Sequence, residues 1–76
     1  MNNNRRKILD KIIVNLEQIA LDIESVCDEE QECYDNLPES FQYSERGEAM
    51  DVAIDYMQEA IDDLNEAADA LREAMG

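Results

Sequence analysis

Residues 49–76 read AMDVAID-YMQEAID-DLNEAAD-ALREAMG, so that nearly the same seven-residue pattern occurs in succession. Each unit has Met or Leu second and Ala fifth, and the first three units end in Asp. A repeat of seven is typical of an α-helix whose apolar residues form one stripe along its side. This stretch therefore predicts one long helix with an apolar stripe and a separate row of acidic residues.

The segment before it predicts another long helix with a matching stripe. Its residues step by three and four through Leu9, Ile12, Leu16, Ile19, Ile23, Val26, Glu30, Cys33 and Leu37. With Leu9 at position a and Ile12 at position d of the heptad abcdefg, this row is a coiled-coil seam, and the e position beside it is held by Ile13, Ala20, Cys27 and Tyr34. We predict a first helix over about residues 4–35 and a second over about residues 45–75.

The second helix has the same arrangement of large and small apolar residues. Met or Leu occupies a, and the d row is Ala53, Ala60, Ala67 and Ala74. A short connection makes neighbouring helices antiparallel. Large residues of the first helix are then expected to oppose alanines of the second, as in the pair Leu9 and Ala74, while Ile12 opposes Leu71. The same alignment places the cationic N-terminus near the C-terminal acids, which brings together Arg5, Arg6, Lys7, Lys11, Glu66, Asp69 and Glu73.

The connection, residues 36–44, contains local signals for a turn. Pro38 disfavours helical geometry at the residue before it and can begin a short helical turn. Ser44 is the best N-cap for the second helix, and Gly47 indicates a close backbone approach. Phe41 and Tyr43 are expected to fold over the end of the hairpin as a plug. Arg46 is expected to pair with the acids beside it, Glu45 and Glu48.

The fold class expected from these features is all-α, a single domain (residues 1–76) built as a long antiparallel two-helix hairpin. Two helices alone do not cover a stripe that spans positions a, d and e, and a chain of 76 residues buries only a modest core. We therefore expect dimerisation into a four-helix bundle. Val14 and Leu21, at f beside the stripe, are the residues that we expect to mark self-association.

Charge decides which partners suit the chain. The net charge is -14 and the sequence pI is about 4.1, which disfavours direct binding of nucleic acid or anionic membrane and favours a basic protein partner. One acidic ridge follows the c and f positions of the second helix through Glu48, Asp55, Glu59, Asp62, Glu66, Asp69 and Glu73. Such a ridge could occupy a groove meant for phosphates, as a nucleic-acid mimic. On the ridge alone, an ordinary solvated helix face is the favoured explanation.

Signals for catalysis or metal binding are missing. The chain has no His, so neither a di-iron Glu-x-x-His pair nor a serine–histidine site can form. Cys27 and Cys33 are too far apart on one helix to bridge, and no Gly-rich phosphate loop or calcium loop occurs. We expect no catalytic residue, no metal, no cofactor and no small-molecule substrate. With neither a signal peptide nor a membrane span in the sequence, we expect a cytoplasmic protein with free thiols.

The sequence NLPESFQYSERGEAMDVAIDYMQEAID around the connection resembles a group of small acidic helical-hairpin proteins of Gram-positive bacteria, their phages and mobile elements. These proteins carry a similar NLPES–Q–SERGEAM stretch followed by Glu-Ala-Ile-Asp repeats. The resemblance covers about residues 36–69 and implies a helical hairpin. It brings no activity and no functional residue with it.

Two functions are consistent with these features. In the first, the chain is a non-catalytic binder whose acidic face engages a basic, nucleic-acid-binding protein of the bacterial host, as an inhibitor made by a phage or mobile element. In the second, the chain is a structural or assembly protein whose role is self-association, and its acid keeps it in solution.

Overall fold

The computed structural model describes every residue from Met1 to Gly76 and consists of three helices. These are α1 (Asn3–Asp35), the short α2 (Glu39–Gln42) and α3 (Glu45–Met75). The long helices agree with the predicted ranges of about 4–35 and 45–75, and the all-α hairpin is confirmed. α1 and α3 lie side by side in a rod that measures 58 × 15 × 12 Å.

Side-chain caps begin both long helices, and the cap at Ser44 is the predicted one. Asn2 Oδ1 accepts a hydrogen bond from the backbone N–H of Arg5 at 2.8 Å, and Ser44 Oγ accepts one from the N–H of Gly47 at 3.3 Å. Each bond satisfies one of the amide groups that a helix leaves unpaired in its first turn. The caps therefore fix where α1 and α3 start.

Two contacts define how the long helices align. The Cys27 thiol donates to the carbonyl oxygen of Ile54 at 3.9 Å, and Arg6 Nε donates to the carbonyl oxygen of Met75 at 3.2 Å. The two contacts are equally far apart along α1 and along α3, so the helices run antiparallel in constant register. This register places Ile13 level with Ala68, and Ala20 level with Ile61.

The seam between the helices lies one heptad position away from the predicted one. The buried residues are Gly47 and five hydrophobic residues, all at e: Ile13, Ala20, Cys27, Ile54 and Ala68. The residues at a are half-buried, whereas the d row of α1 faces solvent. Ile13 is 5% exposed and its neighbour Ile12 is 40% exposed. The a/d seam was therefore wrong, and a and e make the contact.

Small side chains explain this rotation. The e row contains Ala20 and Cys27 on α1, and Gly47 and Ala68 on α3. Helix backbones can approach closely where each large side chain faces a small one, and close approach increases the dispersion contacts of every neighbouring atom. The helices therefore turn their e rows inward and pair large with small within that row. The predicted layers of Leu9 with Ala74 and of Ile12 with Leu71 do not form.

The N-terminal cations lie at the predicted end of the rod with a different partner. Arg6 reaches the C-terminal end of α3 but bonds the Met75 carbonyl, and Arg5, Lys7 and Lys11 make no ion pair. A cation favours this position because the C-terminal carbonyls of a helix carry partial negative charge. The predicted proximity of the N-terminal cations to the C-terminal end of α3 is seen for Arg6, although none of them forms an ion pair with Glu66, Asp69 or Glu73.

Substituting alanine at the neighbouring residues Ile12 and Ile13 tests the seam. We expect Ile13→Ala to lower the free energy of unfolding by about 2–5 kcal/mol, because it leaves a cavity between the helices. Ile12→Ala should cost less, about 1 kcal/mol, because its side chain is already 40% exposed and its loss leaves no enclosed cavity. Urea unfolding followed by circular dichroism measures both, at protein concentrations low enough that the midpoint no longer depends on concentration. If Ile12→Ala destabilised the protein as much as Ile13→Ala or more, the helices would instead pack through positions a and d.

Candidate functional site

The seam gives the rod two unlike long sides. In an antiparallel pair, positions d and g of both helices lie on one side, and positions b and f lie on the other. A groove on the first side is lined by Ile19 and Val26 of α1 with Tyr56 and Ala60 of α3. We call this side the apolar face and the opposite side the acidic face.

The acidic ridge of α3 is exposed along its whole length. Its f residues lie on the acidic face, and its c residues point away from α1; the f residues are Glu48, Asp55, Asp62 and Asp69. From Glu48 to Glu73 the ridge spans about 37 Å at the rise of an α-helix. The structure thus places the seven predicted carboxylates on one continuous surface.

Helix α1 adds carboxylates that the sequence analysis did not assign to this surface. A groove of about 270 Å³ between the helices is lined by Glu24 and Asp28 of α1 together with Gln58 and Asp62 of α3. Glu24 and Asp28 occupy b and f, the positions that antiparallel packing places beside the f row of α3. Heptad position was the available signal, and the misplaced seam obscured it. The acidic face therefore extends across both helices.

Arg72 forms ion pairs with carboxylates of both long helices on the acidic face. Arg72 contacts Glu17 Oε2 and Asp69 Oδ1, both at 2.9 Å, and these are the only ion pairs in the structure. The hydrogen bond and the charge of Glu17 raise the pKa of Arg72 above its ordinary value, with Asp69 adding to the effect. The other six carboxylates of the ridge, those from Glu48 to Glu66 together with Glu73, have no neutralising partner.

The apolar face is the second surface that the sequence analysis missed. Ile8, Ile12, Ile19 and Val26 are all exposed on α1, and Tyr56 is exposed on α3. The groove on this face measures about 420 Å³, and among its lining residues are Ile19, Val26, Tyr56 and Ala60. The signal in the sequence was the width of the stripe, because rows a, d and e cannot all face one partner helix.

Val14 and Leu21, the predicted self-association residues, lie elsewhere on α1. Both are exposed, and their f positions are roughly 160° around the helix from the d row. They therefore lie toward the acidic face, among carboxylates, and do not join the apolar face.

The turn between the long helices is closed by polar contacts. Gln42 Nε2 donates to the carbonyl oxygens of Tyr34 and Leu37, both at 3.3 Å, which caps the end of α1. Ser44 Oγ donates to the carbonyl oxygen of Phe41 while it caps α3. These bonds hold α2 against the start of α3.

The side chains at the turn differ from the prediction. Phe41 is 58% exposed and Tyr43 is 76% exposed, so the expected aromatic plug does not form. The turn backbone lies directly against Gly47, and Phe41 lines an open groove of about 380 Å³ with Leu37, Ser44 and Arg46. Arg46 is exposed and makes no ion pair with Glu45 or Glu48, so that expectation was also wrong.

Gly47 has the close approach that the sequence predicted. A Cβ atom built there would lie 2.3 Å from the carbonyl oxygen of Gln42 and 2.6 Å from that of Phe41. Real Cβ atoms do not come this close to backbone atoms. Gly47 therefore allows the turn to fold back onto α3.

The structure contains no cluster of metal-binding side chains, no disulfide and no helix that could span a membrane. The structure brings no three His, Cys, Asp or Glu side chains together in a way that could hold a metal ion. Cys27 is buried, Cys33 is exposed, and both thiols are free. None of the helices combines the length and the apolar character required to cross a membrane.

Comparison with protein-family models, with curated proteins and with solved structures gave no match for this chain.

Adding one methyl group at Gly47 tests the turn. At a solvent-exposed position inside a helix, replacing Gly by Ala stabilises the protein by up to about 1 kcal/mol. Here we expect Gly47→Ala to destabilise the fold by about 1–3 kcal/mol, because the methyl group overlaps the turn backbone. The control is Asn65→Ala, at an exposed position of the same helix, which should be neutral or slightly stabilising. Thermal unfolding compares the two, and a stabilised Gly47→Ala would show that the turn does not rest on α3.

Proposed function

We propose that this protein is a non-catalytic protein-binding module whose acidic face engages a basic, nucleic-acid-binding protein of a bacterial host. The observation that carries the proposal is the unneutralised charge of that face. Only Asp69 of the seven ridge carboxylates has a cationic partner, and the others are exposed on a rigid helix. Fixed charges on a rigid element lose little conformational entropy when a partner binds.

The density of charge supports a partner that normally binds phosphates. The ridge presents about one carboxylate every 6 Å along α3. One strand of duplex DNA presents about one phosphate per 3.4 Å of helix axis. The row on α1 that includes Glu17, Glu24 and Asp28 increases the density of the acidic face toward that value. A groove of Lys and Arg side chains would recognise this charge without reading a base sequence.

Inhibition is the form of binding that we favour. A rod that occupies a phosphate-binding groove excludes the nucleic acid by competition, and no chemical step is required. The resemblance of the connection to hairpin proteins of phages and mobile elements supports this form, because such elements gain from disabling proteins of their host.

A second candidate function is assembly, in which self-association is the role and the acid keeps the product in solution. The exposed apolar face favours it, since contiguous apolar surface on a small protein is typical of an interaction site. The two functions use opposite sides of the rod and are compatible in one molecule.

Neutralising the ridge tests the first function. Proteins captured from host lysate on immobilised wild-type chain are purified, and their affinity is measured for the wild type and for Asp55→Asn/Asp62→Asn/Asp69→Asn. We expect the triple variant to bind at least about tenfold more weakly, and wild-type binding to fall steeply with salt. The wild type should also displace a labelled DNA duplex from the captured protein.

The control removes the same charge elsewhere on the rod. Asp22→Asn/Glu29→Gln/Asp63→Asn changes three exposed carboxylates that lie at g, away from the ridge. It should bind within about two- to threefold of the wild type if position matters. An equal loss of affinity in both variants would show that binding depends on the net charge of the chain and not on the position of the ridge. A captured protein that binds both variants like the wild type would refute the proposal.

A further inference from the structure

We infer that the apolar face is covered by a second copy of this chain, which forms a four-helix bundle in which α1 of each copy packs against α3 of the other. This inference is independent of any binding by the acidic face. Four observations carry it: the small core, the area of the face, the distribution of charge, and the match of large and small side chains.

A single hairpin buries little. Only six of 76 residues are buried, and no large side chain is fully enclosed. Chains of this size gain marginal stability from one core and commonly rely on a disulfide, a metal or association. This chain has two free thiols and no candidate metal cluster. Association is the remaining means of covering its aliphatic side chains.

The area of the apolar face is sufficient for a dimer. Its rows run from Ile8 to Cys33 on α1, which is about 37 Å. Two helices whose axes lie about 9 Å apart make a face about 19 Å wide. The product is on the order of 700 Å² per copy, close to the value of about 800 Å² per partner that is typical of specific interfaces.

Charge indicates which surface two copies can share. Each copy carries a net charge of -14, so contact through the acidic faces would bring like charges together. The apolar side carries only three carboxylates, all at g: Asp22, which lines the groove, and Glu29 and Asp63. Joining the apolar faces directs both acidic faces outward, to opposite sides of the bundle. The apolar face also offers little charge for a basic partner to recognise.

The two rows of the face complement each other in size. The d row of α1 carries Ile12, Ile19 and Val26, and the d row of α3 carries alanines at the same spacing of seven. A two-fold axis parallel to the helices places the aliphatic row of one copy over the alanine row of the other. Large side chains then pack on small ones throughout. With the axis perpendicular to the helices, the d row of α1 would meet the same row of the second copy, and the alanine rows would also meet each other. The isoleucines would then hold the two α1 helices apart, whereas the alanines would need close contact between the two α3 helices.

Sedimentation equilibrium of a matched pair of lysine variants tests the inference. Ile19 and Leu21 are 47% and 58% exposed on opposite sides of α1. We expect the wild type and Leu21→Lys to form dimers, and Ile19→Lys to associate at least about 100-fold more weakly, because it would bury an unpaired charge. A monomeric wild type at high concentration, or a dimeric Ile19→Lys, would overturn the inference. Loss of the dimer in Leu21→Lys would place the interface at Val14 and Leu21 instead.

A second pair of variants covers the case in which Ile19→Lys fails to fold. Ala67→Gln puts a longer side chain on the alanine row and keeps a good helix former. Asn65→Gln makes a similar change on the acidic side. Only Ala67→Gln should weaken the dimer, with the helix content unchanged in both; equal dimerisation of the two variants would overturn the inference.

Distance measurement tests the arrangement of the copies. Spin labels are attached at Ser40→Cys in a Cys33→Ser background, where the buried Cys27 is protected from labelling. With the axis parallel to the helices, both turns lie at one end of the bundle. Pulsed electron paramagnetic resonance should then give a distance between the two labels below about 35 Å. A separation near the 58 Å length of the rod would overturn the arrangement.

Discussion

Packing of large side chains against small ones at the seam is the constraint on which the rest of the structure depends. The inward e rows include the small residues Ala20 and Cys27 of α1, with Gly47 and Ala68 of α3, and each is level with a larger residue of the facing helix. The Cys27 thiol lies 3.9 Å from a backbone carbonyl of the facing helix, so the side chain leaves little space between the two elements. Backbones this close fix the rotation of both helices about their axes. Every other surface of the rod follows from that rotation.

The same rotation separates two kinds of surface that a 76-residue chain rarely keeps apart. Turning e inward moves the aliphatic d row of α1 and the alanine d row of α3 to one long side. It also directs the b and f carboxylates of both helices to the opposite side, where Glu24 and Asp62 border one groove. Apolar association and charged recognition can then operate together, because neither surface needs to open for the other to be used. The polar turn, with Gly47 beneath it, sets the register that aligns the two sides.

Much of this could be predicted from the sequence. The heptad repeat gave both long helices, Ser44 its capping role, Gly47 its close approach and the ridge its seven carboxylates. The rotation of the helices could not be predicted, because rows a, d and e are all apolar and their periodicity does not say which pair is central. That choice depends on the size of side chains on both helices at once. The exposure of Phe41 and Tyr43 at the turn could not be predicted either. The turn is closed by hydrogen bonds from Gln42 to backbone carbonyl oxygens, and such bonds have no sequence signature.

The central claim is that Ile13 and Ile54 form the permanent seam, while Ile12 and Ile19 lie on a surface that only a second copy covers. Methyl NMR with a soluble paramagnetic agent tests it directly, by measuring relaxation enhancement at each isoleucine over a range of protein concentrations. The account predicts that Ile13 and Ile54 stay protected at every concentration, and that the protection of Ile12 and Ile19 is lost on dilution. Protection of Ile12 with exposure of Ile13 in the dilute sample would contradict it.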